Sequence, residues 1–409
     1  MGIQFSNLSP SLARAISTTV SRGPNIVFAQ DNSQWSTFKG NLQFNTSNKP
    51  SEASGLTDPS LEWKVGLSDG RAIGHITDKY VFIESAEVVN RNTQEMEVKL
   101  SDIPNNPEGE AGCLPVKEKY TDSFEYLLAT ERDVIDGYWT LIDIQNEELV
   151  WREEEPELPT NADPVVVPED KGCSFSGYYY LNDFDEILRK DLSDGSIIDA
   201  YNTAATDAET IMFYDGDIIV IDHAGDTDER INADTGNTVW SVSPPPNRGR
   251  DYFSYAISEP YYYTADSNGN LRQNNLSDGS NNWDRYLGNG RADYLLSVGE
   301  TLSYGKVAAA TLLDANGDRH IITVDIDGNI LWDKIIDTDA GNQTLPTTID
   351  GDTVLIPKDD GRVEAYNAGT GNEIYVIDNS NLPKTSQVSA PVVDGKVFVV
   401  VNDTLKVYS

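Results

Sequence analysis

Cysteine, histidine, basic charge and long apolar runs are all scarce in this sequence, and each scarcity removes a class of function. The two cysteines, Cys113 and Cys173, stand sixty positions apart, so they form neither a redox motif nor a metal-ligand pair. The three histidines, His75, His223 and His320, are equally dispersed, with no pair one helical turn apart to seat zinc. No stretch approaches the roughly 18 apolar residues that cross a bilayer as a helix, so membrane insertion is not expected. Neither a Gly-x-Ser-x-Gly elbow nor a glycine-rich loop ending in lysine occurs, which removes the serine-hydrolase and phosphate-cradle signatures. The N-terminal residues lack a basic region leading into an apolar run. Residues 12–22 read instead as a weak amphipathic helix bearing Arg14 and Arg22, which makes a poor signal peptide.

Acid is what abounds. Asp and Glu number 67 against 30 Lys and Arg, a net charge of −37 over 409 residues. Nucleic acids and anionic lipids are held by neutralising phosphate, so this balance excludes both as expected partners. The carboxylates are scattered through turns beside Gly, Asn and Thr and are not gathered into a tail. So much like charge works against a compact fold at ordinary ionic strength. At molar salt the screening length falls to about 3 Å and the repulsion largely disappears. The composition therefore points to a halophilic microbe or its virus, with an acidic secreted protein as the alternative. Hydrophobic residues at 38% suffice for a core and exclude wholesale disorder.

Internal repeats decide the fold class. In the clearest unit, Asn232, Asp234 and Gly236 precede Trp240. The same glycine-to-aromatic step of four recurs at Gly279 and Trp283, Gly328 and Trp332, and Gly371 and Tyr375. Weaker copies lie around Val89–Met96, Ile142–Trp151 and Asp191–Ile198. The glycine supplies the positive φ of a tight hairpin, and the aromatic opens the next strand, where it can tuck between stacked sheets. Upstream of these units, Asp-Gly pairs at 215–216, 350–351 and 394–395 separate two further strand patterns. Tyrosine triplets at 178–180 and 261–263 mark equivalent strands of two units. Prolines 115, 164, 346 and 391 read as the first residues of inner strands, where a missing N–H is tolerated. Third strands fall near Val88, Ile142, Leu188, Ile231, Leu271, Val324, Val363 and Leu405, giving about eight units. The last stops after its third strand, whereas Leu61–Val65 reads as an orphan fourth strand. Joining the two predicts an all-β, closed β-propeller of about eight four-stranded blades, its last blade completed from both ends of the chain. On this reading residues 35–409 are one propeller domain, and residues 1–34 are an arm that could contact a neighbour.

The Asp-x-x-Thr-Gly-x-x-x-Trp unit resembles the repeat of pyrroloquinoline-quinone-type propellers. The segment Trp35, Phe38, Lys39, Gly40 and Asn41 resembles the Trp-x-x-Phe-Arg-Gly-Asn opening of microbial members. The resemblance covers about residues 35–409 and is strongest beyond 205. It implies the fold and leaves function open, since the family holds both quinone-dependent alcohol dehydrogenases and non-enzymatic scaffolds. Enzymatic members are similar in carrying a vicinal cysteine disulfide over the quinone and a calcium held by Glu, Asn and Asp. The vicinal pair is missing here, which places the chain in the non-enzymatic branch.

Two candidate sites remain. Asp314, Asn316 and Asp318 alternate as oxygen ligands do in hard-cation loops, so calcium is the expected ion if the site binds one, but no bidentate glutamate follows. The same string is ordinary hairpin chemistry. Downstream of three consecutive prolines, Arg248, Arg250, Tyr252 and Phe253 concentrate interface-prone side chains on an acidic body. No organic cofactor is implied. The function expected is a non-catalytic protein-binding or structural scaffold, partnered by other proteins of a larger assembly. A virion component acting in assembly or host-surface attachment is the sharper form. The alternative is an extracellular ligand-binding or quinone-dehydrogenase-like propeller. A virion or cell-exterior location is expected, with the cytoplasm of a high-salt cell as the alternative. Blade alignment sets Cys113 beside an inner-strand proline and Cys173 near the first turn of the next blade. Those sites lie toward opposite ends of a strand about 15–20 Å long, whereas a disulfide needs Cα atoms within about 7 Å, so both thiols are expected free.

Overall fold

The computed structural model describes residues 55–409 except for 69–72, 84–86, 100–109, 118–123, 133–136, 156–164, 169–176, 205–207, 223–226, 244–254, 293–295, 338–346, 380–389 and a few single residues and pairs. Residues 1–34, the expected arm, and the 35–43 opening lie outside this set, as do Arg248, Arg250, Tyr252, Phe253, Cys173 and His223. Cys113 falls within the innermost strand Glu110–Lys117, and His75 within Ile73–Ile76.

The described residues form strands and turns with no helix, and the strands fall into eight sheets. Seven sheets are contiguous in sequence and are numbered here as blades 1 to 7: residues 73–99, 110–155, 165–202, 208–242, 255–286, 290–337 and 348–377. Within each, consecutive strands pair antiparallel from the inside outward. Blade 8 joins both ends of the described chain. Its inner three strands lie in 392–408, and its outermost strand is Leu61–Gly66, paired antiparallel with Thr404–Tyr408. The fold is a closed eight-bladed β-propeller, and the orphan strand read around Trp63 is the one that closes it. All eight expected third-strand positions lie on third strands.

Local chemistry explains the strand breaks. Between Val392–Val393 and Lys396–Val400 the turn residues Asp394 and Gly395 have φ of 52° and 72°, the two left-handed positions of a tight hairpin. The third–fourth strand pairing slips by one residue beside its turn in each of blades 1 to 7, for example between Arg230 and Ile231 and between Thr323 and Val324. These bulges twist the outer strand and re-aim its aromatic. One sequence expectation fails in detail. Pro115 is not the first residue of its strand but the sixth of Glu110–Lys117, opposite Leu127. The strand is innermost and paired on one side only, so a missing N–H costs no ladder bond. Blade 6 also carries an unexpected short strand, Gly290–Arg291, beside Leu296–Thr301.

Each blade turns its first–second and third–fourth hairpins to one face, here the turn face. Its second–third hairpin and the link to the next blade go to the other, the connection face. The core lies between blades. One cluster joins Met212, Ile219 and Trp240 of blade 4 to Tyr255, Ile257 and Tyr262 of blade 5. Equivalent clusters straddle blades 5 and 6, 6 and 7, 7 and 8, and 8 and 1.

Candidate functional site

The recurring Gly-to-aromatic unit is a joint between blades. Trp240, on the outer strand of blade 4, donates its indole N–H to Leu276 O in the blade 5 turn at 2.9 Å. Trp283 does the same to Ile326 O of blade 6 at 2.8 Å, and Trp332 to Ala368 O of blade 7 at 2.8 Å. Tyr201 of blade 3 substitutes a phenol, donating to Ala233 O of blade 4 at 3.0 Å. The acceptor is always the second residue of the turn. An Asp or Asn at the first position holds that turn, as Asn367 Oδ1 accepts from Thr370 N at 2.9 Å and Asp325 Oδ1 from Asn329 N at 2.8 Å. Each ring lies on the turn glycine of the following blade. A methyl on Gly279 would sit 2.8 Å from Trp240, and one on Gly371 2.9 Å from Trp332. Sequence reasoning gave this glycine one role, its positive φ; the floor it makes for the preceding blade's ring is a second.

The connection face carries the expected cation loop. Asp314, Asn316 and Asp318 do come together, on the hairpin between Gly305–Asp314 and Arg319–Asp325. Asp314 Oδ1 accepts from Asn316 N at 2.8 Å and Asp318 N at 2.9 Å, and Oδ2 from Asn316 Nδ2 at 3.0 Å. These bonds, led by the one from Asp318, hold the Asp314 carboxyl below its usual range. The blade 5 hairpin is built alike, with Asp266 Oδ1 accepting from Asn268 N and Asn270 N, both at 3.0 Å. His320 ties the outer strand to the hairpin: Nδ1 lies 2.7 Å from Asp333 Oδ1 and Nε2 3.8 Å from Asp314 Oδ2. Among the described residues no group of three His, Cys, Asp or Glu side chains is placed to hold a metal ion.

Buried carboxylates that the sequence did not single out clasp the inter-blade links. Glu87, 3% exposed at the start of a third strand, accepts from Ser68 N with both oxygens at 2.9 Å. Glu229, placed equivalently in blade 4, accepts from Ala204 N at 2.9 Å and Thr203 Oγ1 at 2.8 Å. On the link from blade 7 to 8, Asn379 Oδ1 accepts from Lys406 Nζ at 2.7 Å and Tyr408 at 2.9 Å. Burial, assisted by the nearby Lys64 ammonium, lowers the Lys406 pKa. Near the connection face Arg272 binds Asp266 at 2.6 Å and Asp284 at 3.0 Å. These groups meet one another and the backbone, which makes them joints rather than an acid–base constellation.

The rim differs. Large apolar side chains are exposed on the outermost strands of seven blades, among them Leu61, Ile197, Val239, Ile330, Ile335 and Val376. Val239, on the outermost strand Thr238–Val242 of blade 4, is 50% exposed.

Comparison with known proteins agrees with this architecture. No curated protein matches the chain. Among solved structures, BamB from Moraxella catarrhalis is similar with TM-score 0.60 and 14% identity, covering 86% of this chain and 100% of that one. A quinohemoprotein alcohol dehydrogenase, ADHIIG, from Pseudomonas putida HK5 gives 0.64 and 11%, with 98% and 82% covered. A europium-containing methanol dehydrogenase gives 0.63 and 9%, with 90% and 89% covered. At such identities the likeness is one of fold, shared by a protein named for outer-membrane assembly and by dehydrogenases. The family model described as outer membrane protein assembly factor BamB matches residues 136–301 and 296–409, more than half of the sequence, and the chain belongs to that repeat family.

Proposed function

We propose that this propeller is a non-catalytic protein-binding scaffold of a halophilic system, a virion component acting in assembly or host-surface attachment. The observation that carries the scaffold reading is the apolar rim: a chain of net charge −37 leaves large hydrophobic side chains, aliphatic in all but blade 5, exposed on the outermost strands of seven blades. Apolar area left in water on so acidic a body is suited to burial against another protein. In sequence, Arg248, Arg250, Tyr252 and Phe253 add side chains of the types common at interface hot spots. The composition supports the high-salt setting, and the family's namesake supports a place within a larger assembly. Both carboxylate oxygens of Asp314 accept N–H groups of its own hairpin, which supports the turn reading of the Asp314–Asp318 string.

Isolation of native particles or envelopes in molar KCl, followed by cross-linking, tests the scaffold reading. Cross-links from the rim and from 248–253 to one recurrent partner are expected. Reconstitution with pyrroloquinoline quinone and calcium tests the alternative; stoichiometric quinone binding with alcohol-dependent dye reduction would overturn the non-catalytic reading. Melting temperature is expected to rise steeply from tenths molar to molar KCl as screening relieves the charge, and a flat profile would remove the halophilic setting.

A further inference from the structure

The link from blade 7 to blade 8 sets an amine on an amide. Asn379, 7% exposed, lies just past Glu373–Ile377, and Lys406 lies in the third strand of blade 8. Lys406 Nζ stands 2.7 Å from Asn379 Oδ1, and the buried Tyr408 hydroxyl donates to the same oxygen at 2.9 Å. The amide is held in place from its other side. Its Nδ2 donates to Gly361 O at 3.1 Å, and a methyl on Gly361 would come within 3.4 Å of Asn379 Cβ. Tyr408 belongs to the apolar cluster between blades 7 and 8, as do Val363 and Val401 on either side of that glycine contact.

An ammonium in a chain with 67 carboxylates would ordinarily sit beside one of them. Among the described residues Lys406 forms no ion pair, and its charged neighbour is Lys64, directly opposite on the outermost strand. Burial, and after it this like charge, pushes the Lys406 pKa down and so enlarges the share of neutral amine. Burial pushes the Tyr408 phenol up, which keeps its proton available for donation. Desolvation and an adjacent cation are the two devices that make a lysine nucleophilic. Attack further needs a carbonyl carbon held at near contact and a donor where negative charge develops. Asn379 Cγ and the Tyr408 hydroxyl answer to those two requirements.

We propose that Lys406 and Asn379 condense into an isopeptide bond. Nζ, as the neutral amine, adds to Cγ, and the carbonyl oxygen takes the negative charge under the Tyr408 O–H. The Cγ–Nδ2 bond then breaks, Nδ2 leaves as ammonia with one of the two amine protons, and the carbonyl re-forms. One amide is exchanged for another, so no oxidant or second substrate is required. The bond spans 27 positions and fastens the link to the strand that Leu61–Gly66 joins. The closing blade is thereby held covalently, whether or not the rim binds a partner.

Mass spectrometry of the full-length chain tests this. The intact protein is expected to be lighter than its sequence by one ammonia. Trypsin is expected to release residues 363–384 joined to residues 397–409, since cleavage after Lys406 is blocked. Lys406→Arg is expected to restore the mass its own sequence requires and to free the 363–384 peptide. Tyr408→Phe keeps the ring and is expected to slow the loss of ammonia by about tenfold or more in freshly made chain. An unaltered chain that keeps its full mass after prolonged incubation at mildly alkaline pH overturns the proposal, and this reading does not depend on any variant folding. Loss of ammonia that persists in Lys406→Arg overturns it too. A Tyr408→Phe chain that reacts as fast as the unaltered one overturns the part given to the phenol.

Discussion

Two seams of the same ring are built differently. From blade 3 to blade 7 each joint repeats one device, an aromatic of one blade lying on the turn glycine of the next and bonded to a turn carbonyl. Beside the closing seam, between blades 8 and 1, Trp63 sits at the equivalent place on its outer strand but packs edge-on to Phe398 of its own blade, ring centroids 6.3 Å apart. The blade 1 turn has Gln94 where those of blades 3 to 7 have glycine, with φ of 62°, and the outer strand carries Val98 in the aromatic place. Arg91 supplies the tie, its guanidinium 5.3 Å from the Phe398 ring centroid and 2.7 Å from Asp394 Oδ2. Where the repeat is regular the joint is ring and backbone; where the ring closes, it is an arginine and an ion pair. A backbone carbonyl and a methyl-free turn work at any ionic strength, whereas an ion pair with a half-exposed carboxylate is weakened by added salt.

That contrast can be broken at either seam. Trp332→Ala removes a buried ring and strands Ala368 O, so a loss of about 3–5 kcal/mol is expected in denaturant unfolding. Trp63→Ala, which forfeits packing without a turn carbonyl, is expected to lose measurably less. Gly371→Ala comes next: its methyl meets Trp332 at 2.9 Å and its backbone φ is 67°, so about 2–4 kcal/mol is expected from overpacking and left-handed strain together. Arg91→Ala is expected to cost about 1–2 kcal/mol in dilute buffer, and less in molar KCl as the Asp394 pair is screened. A cost for Arg91→Ala that grows with salt would show the contrast to be misjudged. The smallest effect runs the other way. Gln94→Gly relieves a left-handed non-glycine residue and is expected to stabilise by up to about 1 kcal/mol, read as a higher denaturant midpoint.

The fold was legible because the propeller writes itself in local chemistry. Asp-Gly and Asn-Gly turns, period-2 strands and an aromatic four residues past a glycine all act within one blade, so Trp240, Trp283 and Trp332 announce their strands unaided. Even the closure could be read, as a count of strands that leaves Trp63 over at one end and Tyr408 short at the other. What joins blades was not legible. Glu229 reads as one more acid among 67 until the fold brings Ala204 N to it, and the second role of Gly371 depends on a tryptophan 39 positions earlier. Asp314 shows the converse limit. Alternating oxygen side chains serve cation loops and Asp-led turns alike, and only the placement of the N–H groups of Asn316 and Asp318 distinguishes the turn. Pro115 was misread because an innermost strand also tolerates proline beyond its start, at positions whose N–H would point away from its one neighbour.

Closure by Leu61–Gly66 has a consequence in time. A ribosome delivers this strand more than 300 residues before its partner Thr404–Tyr408, so while blades 1 to 7 are made Trp63 has no sheet to join. Blades 1 to 7 can each form from their own contiguous strands as they emerge, while the two halves of blade 8 wait across more than 300 residues of chain, as Arg91 and Asp394 also do. The unfinished ring therefore presents an unmated edge at each side of the gap until Thr404–Tyr408 appears, and in that interval a strand from a neighbouring nascent chain competes for the same place. Closure of the ring is a single late event within blade 8, the blade that an ion pair then ties to blade 1.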